Sequence, residues 1–86
     1  MGNNLNKPLK VGATIGIIGG GQLGRMLVMS GKKMGFQMIV LDPTLNSPAG
    51  QVADRQIVAA FDQISALTEL AELCDVIKIG RASCRE

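Results

Sequence analysis

Apolar residues fall along this chain in short runs separated by stretches of helical spacing. Ala13-Thr14-Ile15-Gly16-Ile17-Ile18 is nearly continuous and rich in β-branched side chains. That is the mark of a strand buried on both faces of a parallel sheet, and a strand over 13–18 is predicted. From Leu23 the period changes. Leu23, Met26, Leu27, Ser30 and Met34 recur at threes and fours, which gives one face of a helix lying on that sheet. Lys32 and Lys33 fall in its last turn, where the dipole favours cations, and Gly35 can take the left-handed conformation that ends it. A second buried strand spans 37–42 and stops at Pro43, which cannot donate to a ladder. Thr44–Gly50 reads as a loop, with Asn46, Ser47, Pro48 and Gly50 as turn formers. Gln51–Arg55 reads as a short helical turn and 56–60 as a third strand. Asp62 is the expected N-cap of a second helix that turns Leu67, Leu70, Ala71 and Cys74 inward. A fourth strand is predicted over 75–79. This order implies an α/β fold with right-handed crossovers and a parallel sheet, its first strand central and next to the second.

The turn between the first strand and the first helix carries the candidate chemistry. Gly19-Gly20-Gly21-Gln22-Leu23-Gly24 fits G-x-G-x-x-G at Gly19, Gly21 and Gly24. The first glycine permits a tight turn, the second lets a ligand reach bare backbone, and the third brings helix and strand together. The helix then presents unpaired N–H groups and a partial positive charge to an anion. A bare turn seldom needs three successive glycines, so a phosphate cradle is the favoured reading over a simple βα turn. Gln22 and Leu23 stand at the helix start, Gln22 as a ligand donor or a solvated side chain, Leu23 as a backbone donor, a core residue or both. Arg25 can pair with phosphate or lie in solvent. Asp42 ends the second strand, 18 residues beyond Gly24. In a dinucleotide-binding domain an acid there holds a ribose hydroxyl; otherwise it ties down its own loop. The motif therefore admits a nicotinamide-dinucleotide domain of a dehydrogenase and a non-catalytic nucleotide-binding domain.

Composition narrows the picture. Eighty-six residues make at most one small domain, which buries only about 60–65% of its unfolded surface. With two Phe and no Trp or Tyr, the core must be aliphatic, and the five Met, at core spacing, are expected to help fill it. A net charge of +2 is too small to point to nucleic acid or a membrane surface. No run approaches the ~20 apolar residues that span a bilayer. Residues 1–12 read as a flexible polar leader with no signal-peptide core. The two cysteines, Cys74 and Cys84, make no disulfide framework, so a reducing cytoplasmic setting is expected. With no His and Cys74 on an apolar helix face, neither a zinc cluster nor a Cys/His dyad is available. No catalytic and no metal-binding residue is assigned to the chain.

The residues inside the motif say more than its glycines. Gly19-Gly20-Gly21-Gln22-Leu23-Gly24-Arg25-Met26, then Leu41-Asp42-Pro43, then Pro48-Ala49-Gly50-Gln51-Val52-Ala53-Asp54, resemble the N-terminal domain of the 5-(carboxyamino)imidazole ribonucleotide synthases. These are the purine-biosynthetic members of the ATP-grasp superfamily. The resemblance runs from about Ala13 to Ile77. It implies a Rossmann-like pre-ATP-grasp domain over 13–78, truncated after the fourth strand. It also implies an ATP-dependent carbon–nitrogen ligase that converts aminoimidazole ribonucleotide, bicarbonate and ATP to the carboxyamino product, ADP and phosphate. In that family ATP and magnesium sit in a separate ATP-grasp domain absent from this chain, and the full-length enzyme is expected to be a cytoplasmic homodimer. By the same resemblance Gly19, Gly20, Gly21, Gln22, Leu23 and Gly24 contribute part of the ribonucleotide pocket. The Gln22 amide would face ribose or phosphate and Leu23 would offer its N–H, with Arg25 and Asp42 as further candidates. The fragment alone is expected to be inactive. After Ile77 the family's pattern continues Thr-Tyr-Glu-Phe-Glu, whereas this chain turns basic and small. Residues 79–86 can be back-translated as a sequencing-library adapter, with the Lys78 codon across the junction, and are expected to be a non-native tail.

Overall fold

The computed structural model describes residues 12–80. Of the leader read over 1–12 only Gly12 is described, its N–H donating to the Gly35 carbonyl at 3.0 Å, and of the tail read over 79–86 only Ile79 and Gly80; the rest of both lies outside the described residues. Six elements follow in order: β1 (Thr14–Ile18), α1 (Gln22–Lys33), β2 (Gln37–Asp42), β3 (Arg55–Val58), α2 (Ile64–Leu73) and β4 (Val76–Ile79). The strands form one parallel sheet in the order β3-β2-β1-β4. β1 is central and next to β2, as its unbroken apolar run requires. Its register pairs Ile17 with Val40 of β2 and with Lys78 of β4. Ile79 completes β4 opposite Ile18, and the Gly80 N–H donates to the Ile18 carbonyl at 2.8 Å.

Strand alternation divides the core between the two faces of the sheet. Ile15, Ile17, Met38 and Val40 pack with Val28 of α1 and Ala49. Ile39, Leu41 and Ile57 pack with Ala66 and Leu70 of α2. On the second face Gly16 leaves room for its neighbours: a Cβ there would stand 2.8 Å from the Cys74 sulfur and 3.1 Å from Leu70. α1 ends as its sequence foretells. Gly35 is left-handed at φ 91°, and the N–H groups of Gly35 and Phe36 donate to the carbonyls of Lys32 and Gly31, the paired bonds of a Schellman motif.

Helix faces are where the apolar spacing misleads. α1 meets the sheet through Gly24, Leu27, Val28 and Gly31, not through Leu23, Met26, Ser30 and Met34. The physical reason is closeness. Gly24 lies against the Gly19 carbonyl, and the Met38 side chain fills the notch over Gly31, so the smallest residues carry the contact. Of the methionines among the described residues only Met38 is buried; Met26, Met29 and Met34 are exposed, which corrects the expectation that the methionines help fill the aliphatic core. In α2, Ala66 is buried where Ala71 was expected, and Ala71 is exposed. Asp62 does not cap that helix. The N-cap is Gln63, with no side-chain cap bond, because the Ala66 and Leu67 N–H groups take the Gln63 carbonyl and set the first turn there. The segment between β2 and β3 is a run of turns and bends, and β3 starts at Arg55.

Candidate functional site

All four strands point their carboxyl ends at one cleft of about 380 Å³. It is lined by Gly19, Gly20, Gly21, Gln22 and Leu23 after β1, Asp42 at the end of β2, Phe61 after β3 and Gly80 after β4. β2 lies on one side of β1 and β4 on the other. Connections diverge there, and open α/β sheets leave a crevice for ligands at that point. A larger, shallower groove of about 820 Å³ runs beside α1, lined by Met26, Met29, Lys32, Lys33 and Gln51 to Ala53. None of its lining residues among those described belongs to the turns at the strand carboxyl ends, so the smaller cleft is the candidate site.

The glycines of the loop have different jobs. Gly19 is left-handed at φ 106°, a conformation that costs an L residue about 1–2 kcal/mol. Its N–H donates to the Leu41 carbonyl at 2.9 Å. A Cβ on Gly20 would press into Ser47 and stand 3.1 Å from the Asp42 side chain. A Cβ on Gly24 would press into the Gly19 carbonyl. Gly21 differs from these: a Cβ there meets nothing within 4 Å. It is the N-cap of α1, with extended backbone and no side-chain cap bond, and the first turn holds no acid. The amides that open α1 therefore face the cleft with no carboxylate or cap competing for them. That is the arrangement in which a helix start attracts an anion, worth about 0.3–2 kcal/mol from the dipole alone.

Asp42, which also lines the cleft, braces this loop. Its carboxylate is buried and accepts the Gly20 N–H at 2.7 Å through Oδ2 and the Thr44 N–H at 2.8 Å through Oδ1. Hydrogen bonds to a charged group contribute about 1.5–3 kcal/mol each. Both oxygens are thus engaged by main chain. Ser47, also buried, accepts the Gly50 N–H at 3.0 Å and donates to Gln56 Oε1 at 3.2 Å. The Gln56 amide in turn donates to the Asp42 and Thr44 carbonyls. The Ala49 N–H donates to the Gly20 carbonyl at 2.9 Å, which closes the 44–50 loop onto the glycine loop. Arg25 reaches the same loop, donating to the Pro48 carbonyl at 3.3 Å. The structure thus places Gln22 and Leu23 at the cleft, both exposed, and ties Arg25 and Asp42 to the loop that backs it.

Sequence reasoning passed over Phe61, Ser47 and Gln56. Phe61 had a usable signal, a rare aromatic just past the end of a parallel strand, where α/β sites gather. Ser47 sat unmarked in a cluster of turn formers, and nothing local foretold that Gln56 would reach it. Cys74 packs against Leu70 and its neighbours. Burial, and then the Asp75 charge, push its thiol above the ordinary 9.0, so it is held protonated and unreactive. Among the described residues no group of three or more His, Cys, Asp or Glu can hold a metal ion. Nor is any helix among them long and apolar enough to cross a membrane.

A family model for the ribonucleotide synthetase preATP-grasp domain matches residues 12–81. The chain is similar to the N5-carboxyaminoimidazole ribonucleotide synthase of Brucella melitensis, with 61% identity over 69 residues, which cover 80% of this chain and 19% of that protein. Among solved structures it resembles N5-carboxyaminoimidazole synthetase from Staphylococcus aureus complexed with ADP, at TM-score 0.81 and 52% identity, covering 83% of this chain and 19% of that one. The enzyme from Aspergillus clavatus in complex with ADP and 5-aminoimidazole ribonucleotide matches at TM-score 0.72 and 41% identity, covering 80% of this chain and 19% of that one. The chain thus spans about a fifth of the length of the curated relatives it matches.

Proposed function

Since this chain belongs to the ribonucleotide synthetase preATP-grasp domain family, we propose that its cleft is part of the ribonucleotide pocket of an ATP-dependent ligase. That ligase carboxylates 5-aminoimidazole ribonucleotide with bicarbonate in purine biosynthesis. The observation that carries the reading is the division of labour among the glycines. Gly19, Gly20 and Gly24 are used up by the turn and its packing, while the space before Gly21 is open. The backbone of Gly21, Gln22 and Leu23 would hold the 5′-phosphate, and the Gln22 amide would reach ribose or phosphate. Asp42 and Arg25 would act on the pocket through the loop they brace. Against a dinucleotide domain stand the two main-chain N–H groups already bonded to Asp42, which occupy the carboxylate that such a domain turns toward a ribose.

The described residues offer no cluster of acids for magnesium, so no step of ATP chemistry is assigned to them. ATP and magnesium belong to a following domain of the full-length protein, a cytoplasmic homodimer in this reading, whose size in solution checks that point. Residues 79–86 are read as translated adapter, in which case Ile79 of β4 and Gly80 at the cleft stand in for the full-length protein's own residues; an unbroken genomic frame through the same codons would refute this. The pocket itself is tested by titrating the chain with ribose 5-phosphate and following amide shifts by NMR. With most of the pocket absent, millimolar affinity is expected, about 4 kcal/mol. Gly21→Val, which fills the open space, should abolish it. Unmoved loop amides at saturating ligand would sink the proposal, and tight NAD binding lost in Asp42→Ala would favour the dehydrogenase instead.

A further inference from the structure

One side chain that is not among the cleft's lining residues holds together the groups that fix the glycine loop. Gln56 is half-buried on β3. Its Nε2 donates to the Asp42 carbonyl at 3.2 Å and to the Thr44 carbonyl at 2.7 Å, and its Oε1 accepts the Ser47 hydroxyl at 3.2 Å. Only this orientation of the amide fits, because a flip would set its oxygen against two carbonyls. Gly20, in the cleft, rests on the same residues. Its N–H donates to Asp42 Oδ2 at 2.7 Å, and its carbonyl accepts the Ala49 N–H at 2.9 Å. Its bare α-carbon faces Ser47: a Cβ there would stand 2.8 Å from the Ser47 Cβ. Both ends of Gly20 therefore lead back to one amide, through Asp42 at the strand end and through the 44–50 loop. The position needs two donors and one acceptor on a long stem, which an apolar or acidic side chain of that length does not supply.

We propose that Gln56 is a positioning residue for the anion cradle. By clamping Asp42 to the 44–50 loop it fixes the backbone at Gly20, and with it the direction in which the Gly21, Gln22 and Leu23 N–H groups face a phosphate. This deepens the phosphate-cradle reading and rests on it. Gln56 acts through Asp42 and Ser47 and touches no ligand itself. Its contribution is pre-organisation: a loop already held in its binding shape loses little freedom when the anion arrives. Side chains that act on a ligand without touching it change affinity by about two- to thirtyfold.

The test is Gln56→Met, which keeps the length of the stem and removes every hydrogen bond of the amide. The control is Ile57→Val, the next residue of the same strand, which lies in the core and takes no part in the clamp. Each 86-residue chain is titrated with ribose 5-phosphate by NMR, and hydrogen exchange of its amides is followed. Gln56→Met should weaken ribose 5-phosphate at least about threefold. It should also speed exchange of the Gly20 N–H relative to Ile17 and Val40 at the centre of the sheet. Ile57→Val should change neither quantity. Should the Met variant not fold, Gln56→Asn, one methylene too short to reach both sets of partners, replaces it with the same expected result. Unchanged affinity or unchanged relative exchange at Gly20 overturns the Gln56 assignment alone. Equal weakening in Ile57→Val also overturns it, since that marks a general loss of structure. A native chain whose loop amides do not respond to ribose 5-phosphate overturns the phosphate cradle and this role with it.

Discussion

Two alanine substitutions three residues apart should have opposite consequences, and the geometry says why. In Gly24→Ala the new methyl points into the Gly19 carbonyl. Carbon and oxygen prefer about 3.3 Å or more, so α1 must lift from β1 by a distance on the order of 1 Å. Overpacking of this kind costs about 1–3 kcal/mol. The gain in helix propensity from Gly to Ala, at most about 1 kcal/mol, offsets part of it. A net loss of about 1–2 kcal/mol remains, which lowers Tm by about 4–16 °C in a domain of this size. Gly21→Ala meets nothing within 4 Å and sits at φ −77°, a conformation open to any residue. Its gain from a stiffer unfolded chain, about 0.4–1 kcal/mol, nearly cancels the loss of a favourable N-cap residue. Its Tm should stay within about 3 °C of the native chain. Binding should sort differently: Gly21→Ala weakens ribose 5-phosphate by intruding on its approach even though the fold is intact. Thermal unfolding by circular dichroism, paired with the NMR titration, reads both quantities. If Gly24→Ala is as stable as the native chain, or if Gly21→Ala falls as far as Gly24→Ala, the assignment of separate jobs to these glycines is wrong.

Asp42→Ala should destabilise the chain by about 1–3 kcal/mol, because it strands the buried Gly20 N–H; chemical denaturation measures this, and a neutral outcome would mean that the loop does not depend on the carboxylate. The thiol of Cys74, held protonated by burial and by Asp75, should alkylate more slowly near pH 8 than in the unfolded chain, read by mass spectrometry of its peptide. Because its folded pKa is raised, the stability it contributes is fully present below 9.0 and is lost as pH rises through the folded value; a Cys74→Ala variant should therefore lose less stability at high pH. The chain alone should show no ATP hydrolysis stimulated by aminoimidazole ribonucleotide, and measurable turnover by the purified 86-mer would overturn that.

The two inner strands were legible along the chain because β1 and β2 are short apolar runs whose two faces both become buried, whereas the outer strands β3 and β4 are largely exposed and were marked by their β-branched residues. β2 falls where its run predicts, and β1 lies at the centre because nothing in it is polar enough for an edge. The glycine loop was legible for a related reason: the spacing of Gly19, Gly21 and Gly24 encodes a local turn, and local geometry needs no distant partner. What the sequence could not decide is which atoms face each other across space. Gly24 and Gly31, not the apolar Met26 and Met34, became the contact face of α1, because close approach rewards the absence of a side chain and apolar periodicity does not register absence. Asp42 could have turned toward a ligand or toward its own loop. The Thr44 N–H, two residues on, reaches Oδ1 as a local turn, whereas the Gly20 N–H lies 2.7 Å from Oδ2 only because the sheet sets the end of β1 beside the end of β2. Phe61 joined the cleft by the same route, because parallel strand order gathers four separate chain segments at one end of the sheet. Short-range geometry and burial are written in neighbouring residues. The contents of the cleft follow from tertiary packing, which joins residues 20 to 60 positions apart.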